Sequence, residues 1–114
     1  MCYRKDMDRK TRNRYETRAR VLKALAHPSR LLMVDELARQ ERCVCELTEM
    51  VGADMSTVSK HLAILRNAGL VEMEKRGAQV YYSLRVTCVT GFFNCLEEVM
   101  RTAAEEQLEL VAIR

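Results

Sequence analysis

Residues 42–84 read RCVCELTEMVGADMSTVSKHLAILRNAGLVEMEKRGAQVYYSL, and three local patterns follow one another in this stretch. Residues 45–51 form a short helix-like run that meets a turn at Gly52-Ala53-Asp54. Gly52 suits the left-handed position just past a helix end. Asp54 is a natural N-cap, its carboxylate able to accept from the N–H of Ser56 or Thr57. In the next run, residues 55–68, Val58, Leu62 and Leu65 fall at i, i+4 and i+7, the buried stripe of an amphipathic helix that stops at Gly69. That leaves Ser56, Thr57, Ser59, Lys60 and His61 toward the exposed N-terminal half. Two alternating runs, 70–75 and 80–84, are joined by Arg76-Gly77-Ala78-Gln79 and read as a β-hairpin. Val71, Met73, Val80, Tyr82 and Leu84 would face inward, with Arg76 and Gln79 at the tip.

Helix, tight turn, helix, hairpin is the order of a winged helix-turn-helix, and the rest of the chain fits around it. Residues 1–12 are mostly charged and read as a flexible basic arm. From Asn13 a helical pattern carries Ala19, Leu22, Leu25 and Ala26 until His27-Pro28 breaks it. Pro28 sits well in the first turn of a second helix reaching about Arg39, where its missing N–H would be unpaired anyway. That helix should bury Leu31, Leu32, Val34, Leu37 and Ala38. Residues 86–111 form a last, long helix with Val89, Phe92, Phe93, Leu96, Val99, Met100 and Ala103 on a wide apolar face. The expected fold class is α+β, mainly α: about five helices and a two-stranded wing in one domain spanning 13–111. A helix so apolar needs a partner, and self-pairing through the first and last helices is the economical one. A two-fold dimer also sets two reading helices about one DNA turn apart.

The chain has 114 residues, enough for a single modest core. Its net charge of +3 is unevenly spread. Residues 1–25 hold nine basic and three acidic side chains (+6), residues 26–85 eight of each, and residues 86–114 two basic and five acidic (−3). A basic front and acidic tail suit a protein that presents one face to phosphates, although a solvated basic helix would look the same. Arg4, Lys5, Asp6, Asp8 and Arg9 deny the N-terminus the apolar core of a signal peptide. No run approaches the ~20 apolar residues of a membrane helix, so the expected location is the cytoplasm. Five cysteines without an export signal point to reduced thiols, not to a disulfide framework.

In a helix-turn-helix the second helix enters the major groove with its N-terminal residues at the base edges. Short hydroxyls such as Ser56, Thr57 and Ser59 permit close approach and bond phosphates or bases. Lys60 adds charge, and the helix N-terminus adds its dipole. His61 either donates to the DNA or packs against the hairpin. Arg76 at the wing tip is placed for a phosphate or the minor groove, with Gln79 beside it. The alternative for Ser56 to Ser59 is simple capping of a surface helix.

On these residues the chain resembles the ArsR/SmtB family of metal-responsive repressors. The resemblance rests on Leu25-Ala26-His27-Pro28-Ser29-Arg30, Cys43-Val44-Cys45-Glu46-Leu47, Met55-Ser56-Thr57-Val58-Ser59-Lys60-His61-Leu62, Leu65-Arg66-Asn67-Ala68-Gly69-Leu70-Val71 and Val80-Tyr81-Tyr82-Ser83-Leu84. It implies a homodimeric winged helix on double-stranded operator DNA, released when an effector binds, with Ser56, Ser59 and Lys60 at positions used for DNA contact. Asp54-Met55 stands where Ser-Gln is frequent, which removes one usual base contact.

The resemblance also implies where an effector would sit. Cys43 and Cys45 match a thiolate site at the start of the helix preceding the reading helix. A third cysteine that follows in one arsenite pattern is Thr48 here, whereas Cys2 on the arm is able to supply a third ligand. Soft thiolates suit As(III) or soft divalent ions such as Cd and Pb. Residues two apart do not share a helix face, so chelation by Cys43 and Cys45 requires a loosened helix start. Cys88 and Cys95 are a second candidate pair. They share a face on a straight helix but with ~10.5 Å of rise between them. Cys88 near a helix N-terminus would gain thiolate character, while Cys95 also reads as a small core hydrophobe. The resemblance argues against the zinc site of the family's last helix, because its positions are Val86, Cys88, Val99 and Thr102 here and three of the four cannot ligate zinc. No permanently bound cofactor is expected.

Other functions have weaker support. A thiol redox or reactive-sulfur switch would use either cysteine pair without metal. A thiol oxidoreductase would call for Cys-x-x-Cys after a strand, and the spacing here is Cys-x-Cys. Two histidines provide no nucleophile–His–acid grouping, so the chain does not read as an enzyme. A winged helix that binds protein instead of DNA is distinguished by an operator-binding assay.

Overall fold

Six side chains with no exposed surface, Met33, Val34, Leu47, Val58, Leu62 and Leu65, form the centre of the structure. Three helices supply them. The structure is a computed structural model that describes residues 8–113. Among the described residues are five helices and three strands: α1 (Arg9–Leu25), α2 (Pro28–Leu37), β1 (Arg42–Cys43), α3 (Val44–Val51), α4 (Met55–Asn67), β2 (Val71–Arg76), β3 (Gln79–Leu84) and α5 (Val89–Ile113). The sheet is antiparallel in the order β1-β3-β2. This is a winged helix-turn-helix, mainly helical.

The boundaries follow from local chemistry. Pro28 occupies the first turn of α2, and the His27 ring nitrogen Nδ1 caps that helix by accepting from the Ser29 N–H at 3.0 Å. Gly52 closes α3 at φ +77°, a conformation that costs glycine little, and its N–H donates to the Thr48 carbonyl at 3.0 Å. Arg76 pairs with Gln79, so the hairpin turns on two residues, the first being Gly77 at φ +62°.

Several expectations need correction. α1 begins at Arg9, not Asn13, because Asp8 caps it, Oδ1 accepting from the Thr11 N–H at 2.8 Å; the flexible arm expected over 1–12 therefore does not include residues 9–12. The wing has a third strand, since Arg42 pairs with Tyr82 and Cys43 with Tyr81. α2 ends at Leu37 and buries Met33 and Glu36, whereas Leu32 is 44% exposed. α2 is enclosed by α1, α3 and α4 on more than one side, so a single-stripe reading misplaced its buried face. Met73 is exposed and touches the core only at its rim, its sulfur taking the Tyr82 hydroxyl at 3.6 Å.

α5 starts at Val89 and carries an apolar face that the single chain leaves largely uncovered. Val89 is buried and Phe93 half-buried, but Phe92, Leu96, Val99 and Met100 are exposed, as are Leu108, Leu110 and Val111 further along. The radius of gyration is 18.2 Å, against about 13 Å for a compact domain of this length. No helix among the described residues is long and apolar enough to cross a membrane.

Candidate functional site

The N-terminus of α4 is built by Asp54. Its carboxylate does not accept from backbone N–H groups, as the N-cap expectation had it; instead Oδ1 takes the Thr57 hydroxyl at 2.5 Å and Oδ2 the Ser56 hydroxyl at 2.7 Å. These two bonds, Thr57 the larger, hold the carboxyl below the usual range for aspartate. Ser56, Ser59 and Lys60 are exposed along one side of the helix start and Thr57 is half-buried. Two hydroxyls and one ammonium beside the N-terminus of a helix, whose first N–H groups have no partner within the helix, make a surface suited to phosphate and base edges.

His61, one residue further along α4, is engaged within the protein. Its ring is half-buried, and Nδ1 accepts from Arg30 Nη1 at 3.0 Å, since a guanidinium only donates. Arg30 also donates to the Ala24 carbonyl at 2.6 Å, and the His27 ring lies 4.3 Å away, centroid to centroid. The histidine thus ties α4 to the start of α2. Burial first, then His27 and Arg30, holds its pKa below 6.5. The native state therefore binds fewer protons than the unfolded chain once pH falls below about 6.5. Stability should decline from there and level off below the folded value. Urea midpoints between pH 7.5 and 5.5 should show a slope that His61→Gln, whose amide oxygen still accepts from Arg30, reduces.

At the wing tip the two expected contact residues have partners within the chain. Arg76 is exposed, but its guanidinium is engaged by neighbouring side chains. It donates to Glu41 at 2.5 and 3.1 Å and to Glu74 at 2.6 and 2.9 Å, and its guanidinium carbon lies 4.7 Å over the Tyr81 ring. Glu41, then Glu74, hold its proton more firmly than usual. Gln79 is exposed, its amide oxygen 3.9 Å from the Cys45 sulfur.

Cys43 is buried and Cys45 exposed, as residues two apart across a strand-to-helix junction would be. The Cys43 N–H donates to Glu46 Oε1 at 3.0 Å and closes the start of α3. Glu46 Oε2 and the 6%-exposed Glu36 are joined by Arg42, which donates to Glu36 at 2.6 and 2.8 Å and to Glu46 at 3.3 Å. Sequence reasoning missed this Glu36–Arg42–Glu46 frame. Cys88 lies in the turn before α5, Cys95 lies within it, and both are exposed, so the reading of Cys95 as a core hydrophobe does not hold for the single chain. No group of three potential metal ligands is assembled among the described residues, and Cys2 lies outside them. The cysteine pairs are therefore donors without a third partner in this arrangement, and three-coordinate capture needs a ligand from elsewhere.

Residues 27–73 match the model of the bacterial regulatory protein, arsR family. The chain is 35% identical over 98 residues to the nodulation protein NolR of Rhizobium meliloti, covering 84% of this chain and 80% of that protein. The chain belongs to the ArsR family. A transcriptional repressor SmtB homolog of Synechocystis is 48% identical over 66 residues, a match that spans 58% of this chain and half of that protein's length. A solved homodimeric winged helix-turn-helix DNA-binding domain from Mycobacterium bovis, a possible ArsR-family transcriptional regulator, superposes with a TM-score of 0.75 at 30% identity, covering 90% of this chain and 95% of that one. This ArsR-family chain is a transcriptional repressor and not an enzyme.

Proposed function

We propose that this protein is a cytoplasmic, homodimeric repressor that binds double-stranded operator DNA through α4 and leaves it when a thiophilic effector engages Cys43 and Cys45. Ser56, Ser59 and Lys60 contact the DNA, with Thr57 holding the helix start through Asp54 and Gln79 contributing from the wing. The uncovered apolar face of α5 supports self-association.

The position of the thiol pair carries the effector reading. Cys43 sits in β1, paired with the wing strand β3, and closes the N-terminus of α3. Cys45 reaches the wing at Gln79. Drawing both sulfurs onto one centre must pull Cys43 from its buried place, and so disturb β1, the wing and the α3–turn–α4 unit together. As(III) or a soft divalent ion such as Cd or Pb fits the donor chemistry, with Cys2 as the third thiolate.

The test is fluorescence anisotropy of the reduced protein on its own upstream DNA, titrated anaerobically with arsenite. We expect release, lost in Cys43→Ser/Cys45→Ser and retained in Cys88→Ser/Cys95→Ser. Tight DNA binding without release by arsenite, cadmium or lead would overturn the metal reading, and release by polysulfide in that case would establish the redox alternative.

A further inference from the structure

Arg76 is the cation nearest the tip of the wing, where a winged helix meets the DNA backbone, yet its three donor nitrogens are all engaged internally. Nη1 and Nη2 lie on Glu41, Nε and Nη2 on Glu74, and the guanidinium plane is backed by Tyr81. The cluster itself sums to one negative charge, one guanidinium against two carboxylates, so in this state Arg76 offers the DNA backbone no net positive charge at the wing tip. All three charged side chains are substantially exposed. Exposed ion pairs are weak and easily exchanged, so the arrangement is a reversible catch and not a structural bolt. We propose that Glu41 and Glu74 form an autoinhibitory latch that keeps Arg76 off the DNA backbone and thereby limits operator affinity. Glu41 directly precedes Arg42 and Cys43, so the latch joins the wing to the segment that carries the thiol pair.

The inference rests on the DNA-binding reading, and one experiment separates the two. Affinity for a duplex from the chain's own upstream region is measured from 50 to 200 mM salt for the full-length protein, Glu41→Gln/Glu74→Gln, Arg76→Ala and the triple variant. Unlatching should tighten binding and steepen the dependence of log K on log salt by about 0.9, the release of one more phosphate counterion, which corresponds to about 3-fold more affinity lost across that range. Arg76→Ala alone should leave the slope unchanged, and the triple variant should lose the gain. A gain that persists without Arg76 would mean that the carboxylates act by plain repulsion and would overturn the latch. So would a slope that falls in Arg76→Ala, because the arginine would then already be on the DNA, or no gain in Glu41→Gln/Glu74→Gln. Absence of binding by every form at every salt would instead remove the DNA-binding reading itself.

Discussion

Leu62→Ala is expected to destabilise the fold by about 3 kcal/mol, within the range for a leucine truncated in a packed core. Leu62 has no exposed surface and lies mid-way along α4, in a core that also holds Leu47 of α3 and Met33 of α2. Three helices meet there, so the cavity cannot close by moving one of them. Domains of this size carry only about 5–15 kcal/mol in total, and a loss of this size should shift the urea midpoint strongly with little change in slope. Ile64→Ala, on the outer side of the same helix and 42% exposed, should cost less than half as much. Protomer concentration has to be held fixed in the comparison, since the proposed self-association would add to stability. Equal losses at the two positions would mean that α4 is not clamped from the side the structure describes.

The stripe behind that prediction was readable because it is local. Val58, Leu62 and Leu65 follow helical spacing, and all three are fully buried. The Gly52 turn and the hairpin were readable for the same reason, since one residue's backbone preference decides each. What escaped was long-range. β1 has two residues, too few for any periodicity, and exists only because β3 lies beside it. His61 and Arg30 are 31 residues apart, and Arg76 and Glu41 are 35 apart. Position on an element offers DNA as a partner to His61 and to Arg76, and it carries no information about the side chains that the fold brings beside them. Asp8 ahead of Thr11 did carry the signal for the start of α1, an acidic N-cap before a run of helix formers, but the density of charge around it reads as a solvated arm. Of the proposed reading surface, Ser56, Ser59 and Lys60 keep the exposure expected of them, because the N-terminus of α4 is set by its cap and not by distant contacts.

Replacing Arg42 should produce the second large effect, through what it does to Glu36. The Glu36 carboxylate is 6% exposed and receives two short bonds from Arg42, while Arg39, largely in solvent, supplies one at 3.1 Å. Arg42→Met would leave that carboxylate nearly stranded, at roughly 2–3 kcal/mol, below the full penalty for a broken buried pair because Arg39 remains. The double variant Glu36→Leu/Arg42→Met should recover most of the loss, since a buried ion pair is poorly distinguished in stability from an apolar pair of similar volume. Denaturant unfolding of the two single variants and the double closes the cycle, and additive losses would mean that the two side chains are not coupled. The consequence reaches past stability. Arg42 also holds Glu46, whose other oxygen takes the Cys43 N–H, so the double variant restores the core while leaving the α3 start without its guanidinium brace. If that brace holds Cys43 in its buried position, the double variant should fold well, bind operator, and release it at lower arsenite than the wild-type chain, because less structure must be undone to bring Cys43 out to Cys45. Unchanged arsenite sensitivity in a stable double variant would confine the Glu36–Arg42–Glu46 network to folding and leave the strand pairing of Cys43 with Tyr81 as the element that the effector has to break.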